Sequence, residues 1–334
     1  MKKTVLFAAA VLAAALTGCG GRKMEAEPSV VLKLANNLPD DSATTQAVEW
    51  FGREVEKRTD GRVTVEIFND SALGDGLSSL EQLQYGGTDI VKADLASMGY
   101  FVEDFNVLAM PYIYDSGEHF WKVHNGTVGQ SLLRSSQMKE QGMYGLAYYD
   151  GGTRCFYNSK GEIHSPKDLK GMMIRVQQSE LMTSMVKALG AKPVISDYSN
   201  VYRVLQTKEA EGAENSIVNY LSQSFYEVAP YFAEDNHTRS ADILVMSEES
   251  RKNISEEDLA VIDQTALESS EYQRKLWDEA EENAKKELKK KNVVITELTR
   301  EEIEEFRTAC EQIWYSYQDG KYIDLIDRIV AAGK

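Results

Sequence analysis

A chain of 334 residues, 43% hydrophobic and 27% charged, is long enough for about two ordinary domains and apolar enough to bury a sizeable core. Its formal net charge of −16 excludes a nucleic-acid binder, or a protein that grips an anionic membrane through basic surface, because both need clustered lysine and arginine. The absence of a low-complexity tract or of a repeat of about 20 to 50 residues excludes long disordered linkers and solenoids.

Lys2 and Lys3 precede an apolar run over residues 5–16, shorter than the about 20 residues a membrane-spanning helix needs. The run ends in Leu16-Thr17-Gly18-Cys19, which resembles the lipobox of bacterial lipoproteins. Residues 1–19 are therefore read as a lipoprotein signal peptide with its lipobox, Cys19 as the lipidated new N-terminus, and residues 20–29 as a polar tether. An ordinary secreted protein with a chance cysteine is the alternative.

From residue 30 a βαβαβ rhythm opens. Residues 31–35 form a short apolar strand. Ala47, Val48, Phe51 and Val55 recur at helical spacing, with Gly61 where a helix C-cap belongs. Residues 62–68 alternate with period two, as a half-buried strand does. Leu77, Leu80 and Leu83 mark a helix closed by Gly86-Gly87, and residues 89–93 return to strand. This order predicts a parallel or mixed sheet covered by helices.

The middle repeats that logic. Residues 143–149 and 153–158 read as two strands, and Ser165-Pro166-Lys167-Asp168 as a helix start with proline at its first position. Residues 172–177 read as a strand, residues 181–189 as a helix capped by Gly190, residues 200–207 as a helix and residues 242–246 as a strand. From Ser255-Glu256-Glu257-Asp258, a capping-box-like start, no glycine or proline occurs as far as Lys291. Roughly 37 residues of helix reach ~55 Å, more than one small domain. Residues 293–296, 301–317 and 323–330 finish with a strand and two helices.

No P-loop, HExxH, CxxC, EF-hand loop or GxSxG pattern occurs, and Gly74-Asp75-Gly76 lacks the third glycine of a dinucleotide fingerprint. His119 and His124, five apart, make a poor metal pair and read as surface or capping histidines. Cys155 and Cys310 have no metal-site spacing; an extracytoplasmic disulfide and two buried thiols both fit them. No cofactor or metal is implied, and the reading moves from enzyme toward receptor.

Several ordered motifs then resemble the solute-binding proteins of tripartite ATP-independent periplasmic (TRAP) transporters, the dicarboxylate-receptor-like, DctP-type family. They are Leu73-Gly74-Asp75, Ala109-Met110-Pro111-Tyr112, Gly151-Gly152-Thr153-Arg154, the stretch from Ser165 to Val176, Leu189-Gly190-Ala191-Lys192-Pro193, the stretch from Val201 to Thr207, Gly212-Ala213-Glu214-Asn215 and Tyr226-Glu227-Val228-Ala229. The sequence departs from the family at Glu209-Ala210-Glu211-Gly212, where a valine-rich stretch ending in Asp-Gly is usual, and at Met172-Met173. The resemblance implies an α/β, two-lobed periplasmic-binding-protein-like fold with a cleft between the lobes and a long helix spanning both. Lobe I is expected over residues 30–151 and 241–280, and lobe II over residues 152–240 and 281–334.

The resemblance also implies the binding residues. Arg175 stands between Ile174 and Val176 on a strand, where a charge needs a reason. It matches the arginine that grips the ligand carboxylate, a task suited to a planar guanidinium fork; an edge-strand arginine paired with a structural carboxylate is the alternative. Arg154 matches a second cleft arginine, against a strand-end surface arginine. Asn215 matches an amide donor to the same carboxylate, against a helix N-cap before Ser216. Lys92 and Asp94 are candidates from the opposite lobe, against solvent exposure beyond a strand. Asn37 and Asp75 on loops, and Tyr198 as a cleft wall, complete the set, with Tyr220 as another wall or core aromatic.

The implied function is an extracytoplasmic, membrane-anchored receptor, a monomer, that delivers a small organic acid to TRAP membrane subunits. Gly212-Ala213-Glu214-Asn215, Asn219-Tyr220 and Glu234-Asp235-Asn236-His237-Thr238 resemble the branch that takes hexuronates and related sugar acids. C4-dicarboxylates or keto acids are the alternative ligands. A ligand-sensing lipoprotein for a signalling partner and a secreted enzyme are the alternative classes.

Overall fold

The computed structural model describes residues 30–333. Residues 1–29, read above as a signal peptide and tether with Cys19, lie outside the described residues.

The opening rhythm is realised as β1 (Val30–Ala35), α1 (Ala43–Arg58), β2 (Val63–Phe68), α2 (Gly76–Gln84) and β3 (Ile90–Asp94). β1 pairs in parallel with both β2 and β3. Ser42 caps α1 by accepting from the Thr45 N–H, and Ala47, Val48, Phe51 and Val55 bury its inner face completely. Four short helices follow, α3 (Leu95–Phe101), α4 (Gly117–Asn125), α5 (Thr127–Leu133) and α6 (Ser136–Glu140), in a stretch that the sequence reading left without elements.

The two strands expected over residues 143–158 are one strand, β4 (Met143–Asn158). Gly151-Gly152 bulges it without breaking it: the register against its neighbour shifts between Asp150 and Gly152. Gly152 has φ +79°, and a Cβ there would stand 2.7 Å from the Trp277 ring, so only glycine lets the strand and that tryptophan approach. Ser165-Pro166 starts a short 3₁₀ turn, Pro166–Leu169, and no longer helix. Then come β5 (Met173–Val176), α7 (Glu180–Ala188), β6 (Lys192–Ile195), α8 (Val201–Gln206), β7 (Gly212–Ser216) and α9 (Ile217–Ser222). The strand expected over residues 242–246 is the end of a much longer one, β8 (Tyr231–Ser247). The chain closes with α10 (Glu248–Arg251), α11 (Glu256–Lys290), β9 (Val294–Glu297), α12 (Arg300–Ser316) and α13 (Ile323–Ala332).

Among the described residues the strands form one sheet in the order β2-β1-β3-β8-β4-β7-β5-β6, with β9 on β8. β4 and β8 run antiparallel along most of their length. The C-terminal half of β8 carries β3, and its N-terminal half carries β9. The C-terminal half of β4 carries β7. The two long strands thus join two half-sheets, the frames of the two lobes. One core, with Leu34, Phe51, Ile90, Leu244 and Ile262, lies in the first. Another, with Tyr157, Val204, Ala213, Phe232 and Leu288, lies in the second. A third runs from Phe105 and Phe120 to Ile174, Met185 and Phe306.

The 35-residue helix α11 packs on α1 at one end and α9 at the other, and so spans both lobes. Ser255 caps it by accepting from the Asp258 N–H. α12 packs on α7 while α13 packs on α4. Cys155 and Cys310 are free, buried thiols.

Candidate functional site: a polar cleft with a buried arginine

Two contiguous cavities lie where β4, β8 and α11 pass between the half-sheets. Asn37, Asp94, Gln177 and Tyr198 line both. The first adds Lys92, Arg154 and Asn215; the second adds Asp75 and Arg175. The structure therefore brings all eight residues proposed from the sequence into the walls of one cleft.

Arg175 sits on β5, an inner strand between β7 and β6. Its side chain is 1% exposed. Nε donates to the Ser196 carbonyl at 3.0 Å, and Nη2 donates to the same oxygen. Among the described residues it forms no ion pair with a carboxylate. Burial accordingly pushes its pKa down. The structural-carboxylate alternative is thereby removed. A fully buried guanidinium hydrogen-bonded to the Ser196 carbonyl and hydroxyl, with Glu214 attracting it only at longer range, is costly until an anion reaches it.

Arg154 is a different case. It lies inside β4, neither at a strand end nor on the surface, and its Nη2 donates to Glu214 Oε1 at 2.9 Å while Nε donates to the other carboxylate oxygen. Glu214 is fully buried and also lies 3.5 Å from His237 Nε2. The other imidazole nitrogen, Nδ1, is 2.8 Å from Asp235. Asp235 in turn accepts from the Phe156 N–H at 2.8 Å, satisfying the backbone where β4 bulges. Burial alone would raise the Glu214 pKa, but Arg154 and His237 hold it down to about 2. The Arg154 charge is thus balanced within the protein, and its Nη1 reaches Asn215 Oδ1 at 3.4 Å.

Asn215 is not the helix cap; Ser216 caps α9. The Asn215 Oδ1 accepts from the Ser216 N–H and the Asn219 amide, which leaves its own amide nitrogen as the donor end. Lys92 is not exposed beyond its strand: it is buried on β3, with Nζ 3.2 Å from Asp242. Asp94 caps α3 by accepting from the Ala96 and Ser97 N–H groups, and Asp75 caps α2 through Ser78. Asn37 Oδ1 and the Tyr198 hydroxyl are buried with no hydrogen-bond partner among the described residues. Two unmatched polar atoms in one cleft call for a polar ligand. Tyr220 is core, its hydroxyl donating to the Ala229 carbonyl.

Gln177, Asn219, Asp242 and Trp277 also line the cleft. Gln177 was within reach of the sequence, two residues beyond Arg175 and hence on the same side of the strand. Asp242 and Trp277 were not, because strand pairing and helix facing place them. His119 and His124, expected at the surface or in caps, are both buried. His119 Nε2 is 2.8 Å from the Ile329 carbonyl and His124 Nδ1 is 2.8 Å from the Phe120 carbonyl, so both serve packing of the first lobe against α13 and β4.

The family model for bacterial extracellular solute-binding proteins, family 7, matches residues 34–320. The chain belongs to this family. The receptor is similar to the TRAP periplasmic solute-binding protein from Bradyrhizobium sp. BTAi1 solved with alpha/beta-D-galacturonate. The two are 32% identical, with a TM-score of 0.85 over 90% of this chain and 99% of that one. The sugar acid binding protein DctPAm from Advenella mimigardefordensis, solved with galactonate, is 29% identical with a TM-score of 0.87 over 92% and 98% of the chains. The C4-dicarboxylate-binding periplasmic protein DctP of Rhodobacter capsulatus is 30% identical over 290 residues, 86% of this chain and 85% of its own. The receptor therefore has the two-lobed TRAP solute-binding fold expected from its sequence and is an extracytoplasmic solute-binding component that works with membrane subunits. Among the described residues no helix is long and apolar enough to cross a membrane.

Proposed function

We propose that this receptor captures a hexuronate or a related sugar acid between its lobes, as a lipid-anchored monomer without catalysis, and presents it to the TRAP membrane subunits. The observation that carries the reading is Arg175, a buried guanidinium whose hydrogen-bond partners among the described residues are the Ser196 carbonyl and hydroxyl. A ligand carboxylate supplies the missing charge, and closing the lobes strengthens the pair by excluding water. Arg154 and Asn215, fixed beside it, donate to the same group. Asn37, Asp75, Lys92, Asp94 and Tyr198 read the hydroxylated remainder. The lobes are assigned to residues 30–151 with 241–280 and residues 152–240 with 281–334, and Cys19 carries the lipid.

The galacturonate and galactonate bound by the two structural relatives support the sugar-acid choice. The C4-dicarboxylate relative supports a second reading, in which succinate or malate is the solute. Titration calorimetry decides between them. Galacturonate or glucuronate is expected to bind more tightly than succinate or malate, and neutral glucose not at all. A preference for succinate retires the sugar-acid choice; tight binding of glucose retires the anion anchor. Mass spectrometry of the mature N-terminus tests the anchor at Cys19, and a start at any other residue refutes it.

A further inference from the structure

The wall facing Arg175 carries a charge arrangement of its own. Lys92 and Asp94 are two apart on β3 and share a face, and Asp242 on β8 is the direct cross-strand partner of Asp94. All three line the same cavity. Lys92 is 3% exposed and its Nζ is held at 3.2 Å by Asp242. Asp94 caps α3, where the Ala96 and Ser97 N–H groups and the Ser97 hydroxyl donate to it. One ammonium thus faces two carboxylates on this wall, and Asp75 adds a third carboxylate to the cleft.

The other wall carries two guanidinium groups. Arg154 is paired with Glu214, and Arg175 forms no ion pair with a carboxylate among the described residues. The cleft is therefore polarised from end to end. A ligand with a single carboxylate and a neutral, hydroxylated far end fits both walls. A diacid drives its second carboxylate toward Asp94 and Asp242, with Lys92 already occupied. Discrimination built on an unfavourable contact of this kind acts against the wrong partner without adding affinity for the right one.

We propose that Asp242 sets this receptor for monocarboxylates with a polyhydroxylated tail, by occupying Lys92 and excluding a second carboxylate. The proposal rests on the sugar-acid reading of the cleft and names the residue behind it.

The test compares D-galacturonate with D-galactarate, which share a six-carbon hydroxylated skeleton and differ in whether the second end is a carboxylate. Titration calorimetry of the wild type is expected to favour galacturonate by about tenfold or more. Asp242→Asn frees Lys92, and the preference shrinks by about tenfold or inverts. Adding Lys92→Gln to Asp242→Asn removes the gain for galactarate. Asp94→Asn, where asparagine still caps α3, is a second route to the same change in wall charge and covers failure of the first variant to fold. The proposal is overturned if both single variants melt cooperatively and keep the wild-type preference. A wild type that prefers succinate to galacturonate overturns the sugar-acid reading instead, so the two failures are separable.

Discussion

Arg154 and Glu214 are diagonal neighbours across β4 and β7 and hold each other at two points, with Nη2 2.9 Å from Oε1. The pair is desolvated, and breaking such a pair from one side leaves a buried charge without a match. Glu214→Gln is expected to cost about 3–5 kcal/mol of stability in urea unfolding and to weaken ligand binding, because Arg154 loses its fixed orientation. A loss below about 1 kcal/mol, the range of an exposed pair, would show that the pair does not hold the arginine.

The same carboxylate gives the receptor a pH profile with two limbs. For His237, burial alone would lower the pKa, but Asp235 and Glu214 on its two nitrogens outweigh burial and push it up to about 9. A folded-state value above the unfolded one contributes stability that is complete below pH 6.5 and is lost as pH rises through about 9. His124 has the opposite sign: burial holds it down to about 3, so its contribution is present above pH 6.5 and is lost as pH falls. Glu214, held at about 2 against 4.5 when unfolded, adds to the acid limb below pH 4.5. Unfolding free energy measured in urea is expected to peak near pH 6.5, and His237→Gln to flatten the alkaline limb and to make the acid limb shallower, because Glu214 loses one of the two groups that hold its pKa down. An alkaline limb unchanged in that variant would rule out His237 as its source.

Arg175 is expected to separate binding from stability. Arg175→Ala removes one partner of a desolvated ion pair in the bound state, which costs ~2–5 kcal/mol, roughly 30- to several-thousand-fold in affinity. Arg175→Lys loses affinity too, because an ammonium cannot reproduce the guanidinium fork. Without ligand, Arg175→Met is expected to melt at the wild-type temperature or above it, since an apolar chain replaces a buried, unbalanced charge. Near-wild-type affinity in Arg175→Ala, or a large drop in the melting temperature of unliganded Arg175→Met, would remove the anchor role.

Trp277 offers a direct reading of the cleft. It is 2% exposed on α11, lines the first cavity and donates from Nε1 to Glu281 at 3.0 Å. Ligand binding is expected to shift its fluorescence, and Trp277→Phe to remove most of that signal. Small-angle scattering should contract with saturating sugar acid as the lobes close. Superimposable profiles with and without ligand would refute closure.

Much of this was legible in the sequence, and the limits were physical. The long helix could be read because capping residues and the absence of glycine and proline are local signals, and it appears as α11 from Glu256 to Lys290. Arg175 could be singled out because a charge between two apolar strand residues is locally anomalous. The fusion of two expected strands into β4 could not be read, because Gly151-Gly152 resembles a turn until the neighbouring strand and Trp277 show it to be a bulge. The Glu214 and His237 contact was invisible for a similar reason: residues 214 and 237 meet only after β7 and β8 take their places on the two sides of β4.

The unbroken passage of β4 and β8 through both halves has a consequence for how such receptors diversify. Each half-sheet is completed by strands that belong equally to the other, so excising either half would strip hydrogen-bonding edges from both long strands. The halves are therefore not separable modules. A substitution on the shared frame, at a cleft position such as residue 242, changes the wall a solute meets while the sheet stays intact.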